Sequence, residues 1–499
     1  MNRDTKTLSR RELVRLALAA TALGVTGTSA RRALGAEPAP TLQTVDPRER
    51  RLLFVVCAYG GASIIDSFLP VVDYENPDPL AASELNVFPD SMVEKRAGSN
   101  LRTPKLLDAY GIYAKPKFAL GDLVAKHGAD LAVITHEVSS VNHTVAQQRS
   151  LNGAGFDRGR TLMESVALRY GGGLPLPSCN MASDGYLRHG VDSSLPNEAR
   201  HELITTPLLF GAGTHGYRGV AGAPTAALLD RARQTRDALE SRSVFGRTFA
   251  ADARRTRYLA SRAKTAGELE RAGLFEKLLL ADPSKLGTSA GQIDPVTAQV
   301  RATLPDLERD SVEAQIALGF LMAYHGVSSS VTLGLPTNPY VTAAGDITGA
   351  PLAFDFSHNA HREVQSLMWC RTASLVDKLI DLLKTHDYLG DPSLGKMWDR
   401  SLVYIATEFG RDKKRPYLSN SWGTGHHLNN GSVILSPLVR GNAVYGGVDP
   451  TTCLTYGFDP ISGAPTPGSV LNESDVYSII AQALALDVPG ARAFPAVVR

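Results

Sequence analysis

Asp355, His358 and His361 recur at every third position ahead of a long amphipathic pattern. Glu408 lies in Thr407-Glu408-Phe409-Gly410-Arg411, and His426 and His427 follow in Gly423-Thr424-Gly425-His426-His427. Carboxylates mixed with imidazoles suit a divalent transition metal, zinc or manganese. Such an ion activates water or neutralises a developing oxyanion. Asp355, His358, Glu408 and His426 are the candidate metal ligands; capping and hydrogen bonding is the alternative role for Asp355 with His358, and pairing with Arg411 for Glu408. Ser139-Ser140-Val141-Asn142-His143 precedes a helical pattern, where exposed backbone N–H groups hold anions. Ser139 or Ser140 is the candidate nucleophile there, with Ser140 preferred; helix capping is the alternative role for both serines. His143 or Arg411 would steady an anionic group. Arg411, Lys413, Lys414 and Arg415 read either as an anion-receiving cluster or as a solvated loop.

These residues need elements that deliver them to one place. The apolar runs LVYIA (402–406), RLLFVVCA (51–58) and LAVIT (131–135) suit strands buried on both faces. Each stops at polar or glycine-rich residues: Glu408, Gly60-Gly61 and His136 to His143 respectively. Two more strands are expected at 327–335 and 432–435. Helical patterns cover 118–126, 144–151, 161–170 and 312–324, and a further helix follows the N-cap Asn472. Val364, Leu367, Met368, Leu375, Val376, Leu379, Leu382 and Leu383 define one buried stripe on the long helix behind Asp355. Alternating strands and helices predict an α/β fold with a mainly parallel sheet. Ligands of such sheets sit beyond the carboxyl ends of the strands, where these polar groups gather. From about 197 to 310 the pattern is helix-rich and predicts a helical insertion.

Composition narrows the class. The 499 residues are 43% hydrophobic and 20% charged with a formal net charge of +2, which offers no electrostatic case for nucleic acid. No stretch of the chain after the N-terminal segment is long and apolar enough for a transmembrane anchor. The N-terminus carries Ser9-Arg10-Arg11-Glu12-Leu13, an Ala-rich apolar run and small residues to Ala36. That order predicts a twin-arginine signal over 1–36 and a periplasmic or secreted location. Cys57, Cys179, Cys370 and Cys453 lack zinc spacing and read as structural.

Taken together, these segments resemble the exported bacterial family known as domain of unknown function 1501, itself similar to the alkaline phosphatase and sulfatase superfamily. The resemblance rests on the twin-arginine start, the first strand ending in Gly60-Gly61, and the run from His143 to Gly153. It rests also on Asp355 with His358, on Thr407 to Arg411, on Gly423 to His426, and on Leu438 to Gly446. It implies a central sheet with helices on both sides and a two-metal centre that hydrolyses phosphate or sulfate esters. Asp355, His358 and His426 would form one metal group, Glu408 part of a second, and Ser140 would lie near the nucleophile. The substrate would be a small anionic ester or a glycan. Three departures bear on this. Gly425 and Ser63 stand where the family tends to carry Asp, and Asn142 where Ser is common. They leave open a one-metal site, and a non-catalytic exported protein that binds an envelope partner or glycan.

Overall fold

The sheet begins with LLFVVCA, Leu52–Ala58 (β1), every residue of which is buried. Side chains alternate across a strand, and here both sets find apolar partners. Leu52, Phe54, Val56 and Ala58 join a core with residues of helices Ser311–Tyr324 and His361–Thr385. Leu53, Val55 and Cys57 join a second core with residues of helices Leu162–Tyr170 and Glu473–Ala483. Helices therefore cover both faces, which is why the strand carries no polar alternation.

The other strands of this sheet are Leu131–Glu137 (β2), Ser178–Asn180 (β3), Glu202–Leu203 (β4), Ser330–Leu335 (β5), Ser401–Thr407 (β6), Asn429–Leu435 (β7) and Ala443–Tyr445 (β8). Their spatial order is β8-β2-β7-β6-β1-β5-β3-β4, eight strands in all. Every pairing is parallel except those of β7, which runs against both β2 and β6. The fold is thus α/β with a mainly parallel sheet. Ala58 stands opposite both Leu335 and Thr407, so β1, β5 and β6 end level. The reversed β7 begins at the same edge, Asn429 opposite Glu137.

The structure, a computed structural model, describes residues 40–111, 113–213, 225–256, 258–260, 277–286, 294–335, 353–417, 419 and 421–499. The expected signal at 1–36 lies outside them, as does part of the expected insertion. Described residues of 42–193 and 197–499 belong to one compact unit, and 40–41 and 194–196 fall outside it. The segment read as an insertion from 197 opens with β4, a member of the sheet, so its start lies after Leu203. It contains the exposed helix Ala226–Arg242 and closes with Leu278, Leu280, Val300, Leu304 and Leu307 in the first core. All four cysteines are buried and unpaired with one another. Among the described residues no helix is long and apolar enough to cross a membrane.

Candidate metal centre

Gly60 and Gly61, just past the end of β1, adopt φ of +90° and +77°. A Cβ on Gly60 would lie 2.1 Å from the backbone nitrogen of Asp355. Only glycine lets this turn approach so closely, and the approach seats the short 3-10 turn Phe354–His358 that carries Asp355 and His358. His143 is the first residue of helix His143–Asn152 (α1), whose N-cap Asn142 accepts the Val145 N–H at 3.2 Å. Glu408 follows β6 directly. His426 leads toward β7 and pairs opposite Arg411 in a two-residue antiparallel ladder.

These segments bring three imidazoles to one carboxylate. Asp355 Oδ1 lies 3.4 Å from His358 Nε2, 3.6 Å from His426 Nε2 and 3.6 Å from His143 Nε2. His358 Nε2 and His426 Nε2 are 2.9 Å apart. Donor atoms of His143, Asp355 and His426 all lie within 4.8 Å of one another. Zinc–ligand bonds of about 2.0–2.1 Å put tetrahedral donors roughly 3.3 Å apart, so the measured separations bracket that edge. The outward nitrogens of His143 and His426 are also engaged. His143 Nδ1 meets Glu408 Oε2 at 2.9 Å and His426 Nδ1 meets the Val141 carbonyl at 3.1 Å. Acceptors on Nδ1 place the proton there and leave the Nε2 lone pairs facing Asp355, the arrangement that prepares imidazoles for a metal. The side chains of Asp355, His143 and His358 are 46%, 41% and 43% exposed, so the cluster opens to solvent.

Arg411 lies beneath it, fully buried, with Nη2 3.0 Å from Asp355 Oδ1 and Nη1 3.3 Å from His358 Nε2. It also donates to the carbonyls of Gly60, Phe354 and Thr424. Burial would raise the Asp355 pKa, but Arg411 and then His143 hold it below the usual carboxylate range. Burial and the Arg411 charge depress His426, which keeps its imidazole neutral. The Glu408 contact raises His143.

The expected residues divide accordingly. Asp355, His358 and His426 converge. Glu408 does not present a free oxygen to them: fully buried, it accepts from Gly60 N–H, from Gln147 Nε2 at 3.0 Å and from His143. Its carboxylate holds the His143 ring. His143, read as an anion contact, brings its Nε2 to 3.6 Å from Asp355 Oδ1. Ser140 Oγ accepts the Asn142 N–H at 3.1 Å, and Ser139 donates its N–H and hydroxyl to Glu473 Oε1 at 2.7 Å. It is the carbonyl of Val141, between these serines and α1, that touches the cluster. Arg411 and Lys413 are buried, unlike a solvated loop; Lys413 donates to the Asn429 carbonyl at 3.0 Å, and burial pulls its pKa down to about 8. His361, outside the cluster, is also fully buried. Ser63 is buried and tied by its backbone to Gln365 and Trp369. At Gly425, one of the departures noted in the sequence, Asp412 Oδ2 accepts the N–H at 2.8 Å and occupies the space of a 425 side chain. His143 was legible only as a histidine opening a helix past a strand end; its contact with Glu408, which comes from another strand, was not.

His127, Asp377 and Asp381 also come together, but Lys126 bridges both carboxylates and Lys384 Nζ sits 3.0 Å from His127 Nδ1. Protein cations already neutralise that group.

No family model and no curated protein matches the chain. Among solved structures it is similar to the crystal structure of Ps i-CgsB in complex with k-i-k-neocarrahexaose, with a TM-score of 0.26 and 10% sequence identity, covering 90% of this chain and 76% of that one. So shallow an overlap carries no argument about this chain, and its function is argued from the cluster alone.

Proposed function

We propose that the protein is an exported metal-dependent hydrolase of phosphate or sulfate esters, built on an alkaline phosphatase-like fold, with zinc or manganese at the Asp355 cluster. One observation carries the reading. The Nε2 atoms of His143, His358 and His426 all lie 3.4–3.6 Å from one carboxylate oxygen, Asp355 Oδ1. Imidazoles gathered on a carboxylate are the donor set of zinc and manganese, and a cation there would replace the 2.9 Å hydrogen bond between His358 and His426.

The ligands would be Asp355, His358, His426 and His143, with Glu408 and the Val141 carbonyl fixing two of the rings. The metal would supply Lewis acidity toward a phosphoryl or sulfuryl oxygen and toward water. Arg411, buried beneath the cluster, holds its guanidinium against Asp355 and keeps that carboxylate ionised. Glu408 keeps the His143 proton on Nδ1. The Ser139 hydroxyl bonds to Glu473 and the Ser140 oxygen to the Asn142 N–H, with no hydrogen bond from either to the Asp355 cluster among the described residues, which favours direct attack by water over a covalent serine intermediate.

A second reading, a non-catalytic binder of an anionic glycan or envelope partner, is favoured by the one carboxylate at the cluster and by its existing pairing with Arg411. The two separate on metal content and turnover. Purified wild type is expected to hold stoichiometric zinc or manganese, lost in His426→Ala, and to hydrolyse an aryl phosphate or aryl sulfate. Stoichiometric metal without turnover of either ester supports the binder. A metal-free wild type that stays metal-free after zinc and manganese titration refutes the metal centre.

A further inference from the structure

Directly behind the cluster lies a chain of buried polar side chains that the proposed chemistry does not use. His361 Nε2 meets Asp66 Oδ2 at 3.0 Å, and His361 Nδ1 meets Thr424 Oγ1 at 2.9 Å. Asn86 Nδ2 donates to both Asp66 oxygens at 3.0 Å. Asp66, Asn86, His361 and Thr424 are 2%, 0%, 0% and 4% exposed, so these bonds form away from bulk water. A buried polar network of this kind is retained only when every member is satisfied, and then it is rigid.

The three residues come from the three segments that must agree for the cluster to exist. Asp66 follows the Gly60-Gly61 turn, His361 follows Asp355 and His358 at the mouth of the long helix, and Thr424 stands two residues before His426. Backbone bonds run alongside: Thr424 N–H donates to Ser357 O at 2.9 Å and His361 N–H to Trp422 O at 2.8 Å. Asp66 is an acceptor, so His361 carries a proton on Nε2, and in the neutral ring Nδ1 accepts the Thr424 O–H. The order carboxylate, imidazole, hydroxyl therefore has one direction, and it ends on the loop that presents His426. An apolar residue at 424 would pack but could not report its position to His361.

We propose that Asp66, His361 and Thr424 form a buried positioning relay that sets His426 against His358, and thereby the metal affinity of the cluster. The proposal rests on the metal-centre reading. Residues that orient ligands from behind typically change metal affinity by about 10–100-fold when altered, and that is the expected size here.

The test titrates zinc and cobalt(II) into metal-free wild type, Thr424→Val, Thr424→Ala and Thr424→Ser, with the cobalt d–d spectrum as a readout of ligand number. Loss of the hydroxyl in Val and Ala is expected to weaken metal binding about 10–100-fold and to change the cobalt spectrum. Ser, which restores the hydroxyl, returns both to wild type, although it lacks the Thr methyl group. A merely structural Thr424 would instead be best replaced by Val, which matches its shape. Val binding metal as tightly as wild type, with an unchanged spectrum, overturns the relay while the metal centre stands. A wild type that binds neither ion overturns the metal centre, and the relay with it. Should Val fail to fold, the comparison of Ala with Ser decides in the same way.

Discussion

Replacing Glu408 by Gln leaves the shape of the side chain unchanged and removes one acceptor. Glu408 is fully buried and receives three donors: Gly60 N–H on Oε1, and His143 Nδ1 and Gln147 Nε2 on Oε2, at 2.9 and 3.0 Å. An amide has one oxygen, so either placement sets its NH2 against a donor. With the nitrogen toward Gly60, one backbone N–H is orphaned in the core, which costs about 1–3 kcal/mol. With the nitrogen toward α1, Gln147 loses its acceptor and His143 can be satisfied only by moving its proton from Nδ1 to Nε2. That proton then points at Asp355 and removes a ligand lone pair. Either outcome destabilises the fold by roughly 2–3 kcal/mol, the loss of a charge-assisted bond included. The second also weakens metal binding by about 10–100-fold. Urea unfolding of the metal-free protein reads the first quantity and zinc titration the second. A Glu408→Gln variant with wild-type unfolding midpoint and wild-type zinc affinity would refute the assignment of Glu408 as the residue that holds His143.

Two further outcomes are expected. Gly60→Ala forces a Cβ to within 2.1 Å of the Asp355 backbone at a φ of +90°, so it should cost at least about 1–3 kcal/mol and lower zinc affinity, read by unfolding midpoint and titration. His201, 7% exposed and stacked on His189 at 4.0 Å, has its pKa lowered by burial, by His189 and by Arg200 to about 4. The folded pKa lies below the unfolded value of about 6.5, so the unfolded chain takes the proton first. Stability is then complete above about pH 6.5 and falls toward pH 4, by about 1.4 kcal/mol per unit, roughly 3 kcal/mol in all. His201→Gln should flatten that part of the stability profile, and an unchanged slope between these pH values would contradict the assignment.

The strands illustrate where reading the chain succeeds. LLFVVCA and SLVYIAT are apolar without alternation because both faces of β1 and β6 are covered, and covered strands advertise themselves by composition. Ser178–Asn180 and Glu202–Leu203 have no such signature. They are two or three residues long and partly polar, and they become strands only because the neighbouring edge of the sheet offers hydrogen bonds.

That Asp355, His358 and His426 would gather was legible because residue type, spacing and position at a strand or helix end all point to one edge of the sheet. The contact between His143 and Glu408 was not, since what holds the second nitrogen of an imidazole comes from a segment far away in the chain. The same holds for Arg411 and Lys413, whose charges look solvated in a row of Arg and Lys and are buried in the fold. It holds again for His361, which is silent without Asp66 and Thr424. The chain alone therefore determined the layered α/β architecture and which residue types reach the carboxyl edge of the sheet, because burial periodicity and turn chemistry are local. Only the tertiary structure decided which side chains meet and where their protons sit, because hydrogen-bond partners at that edge come from segments far apart in sequence.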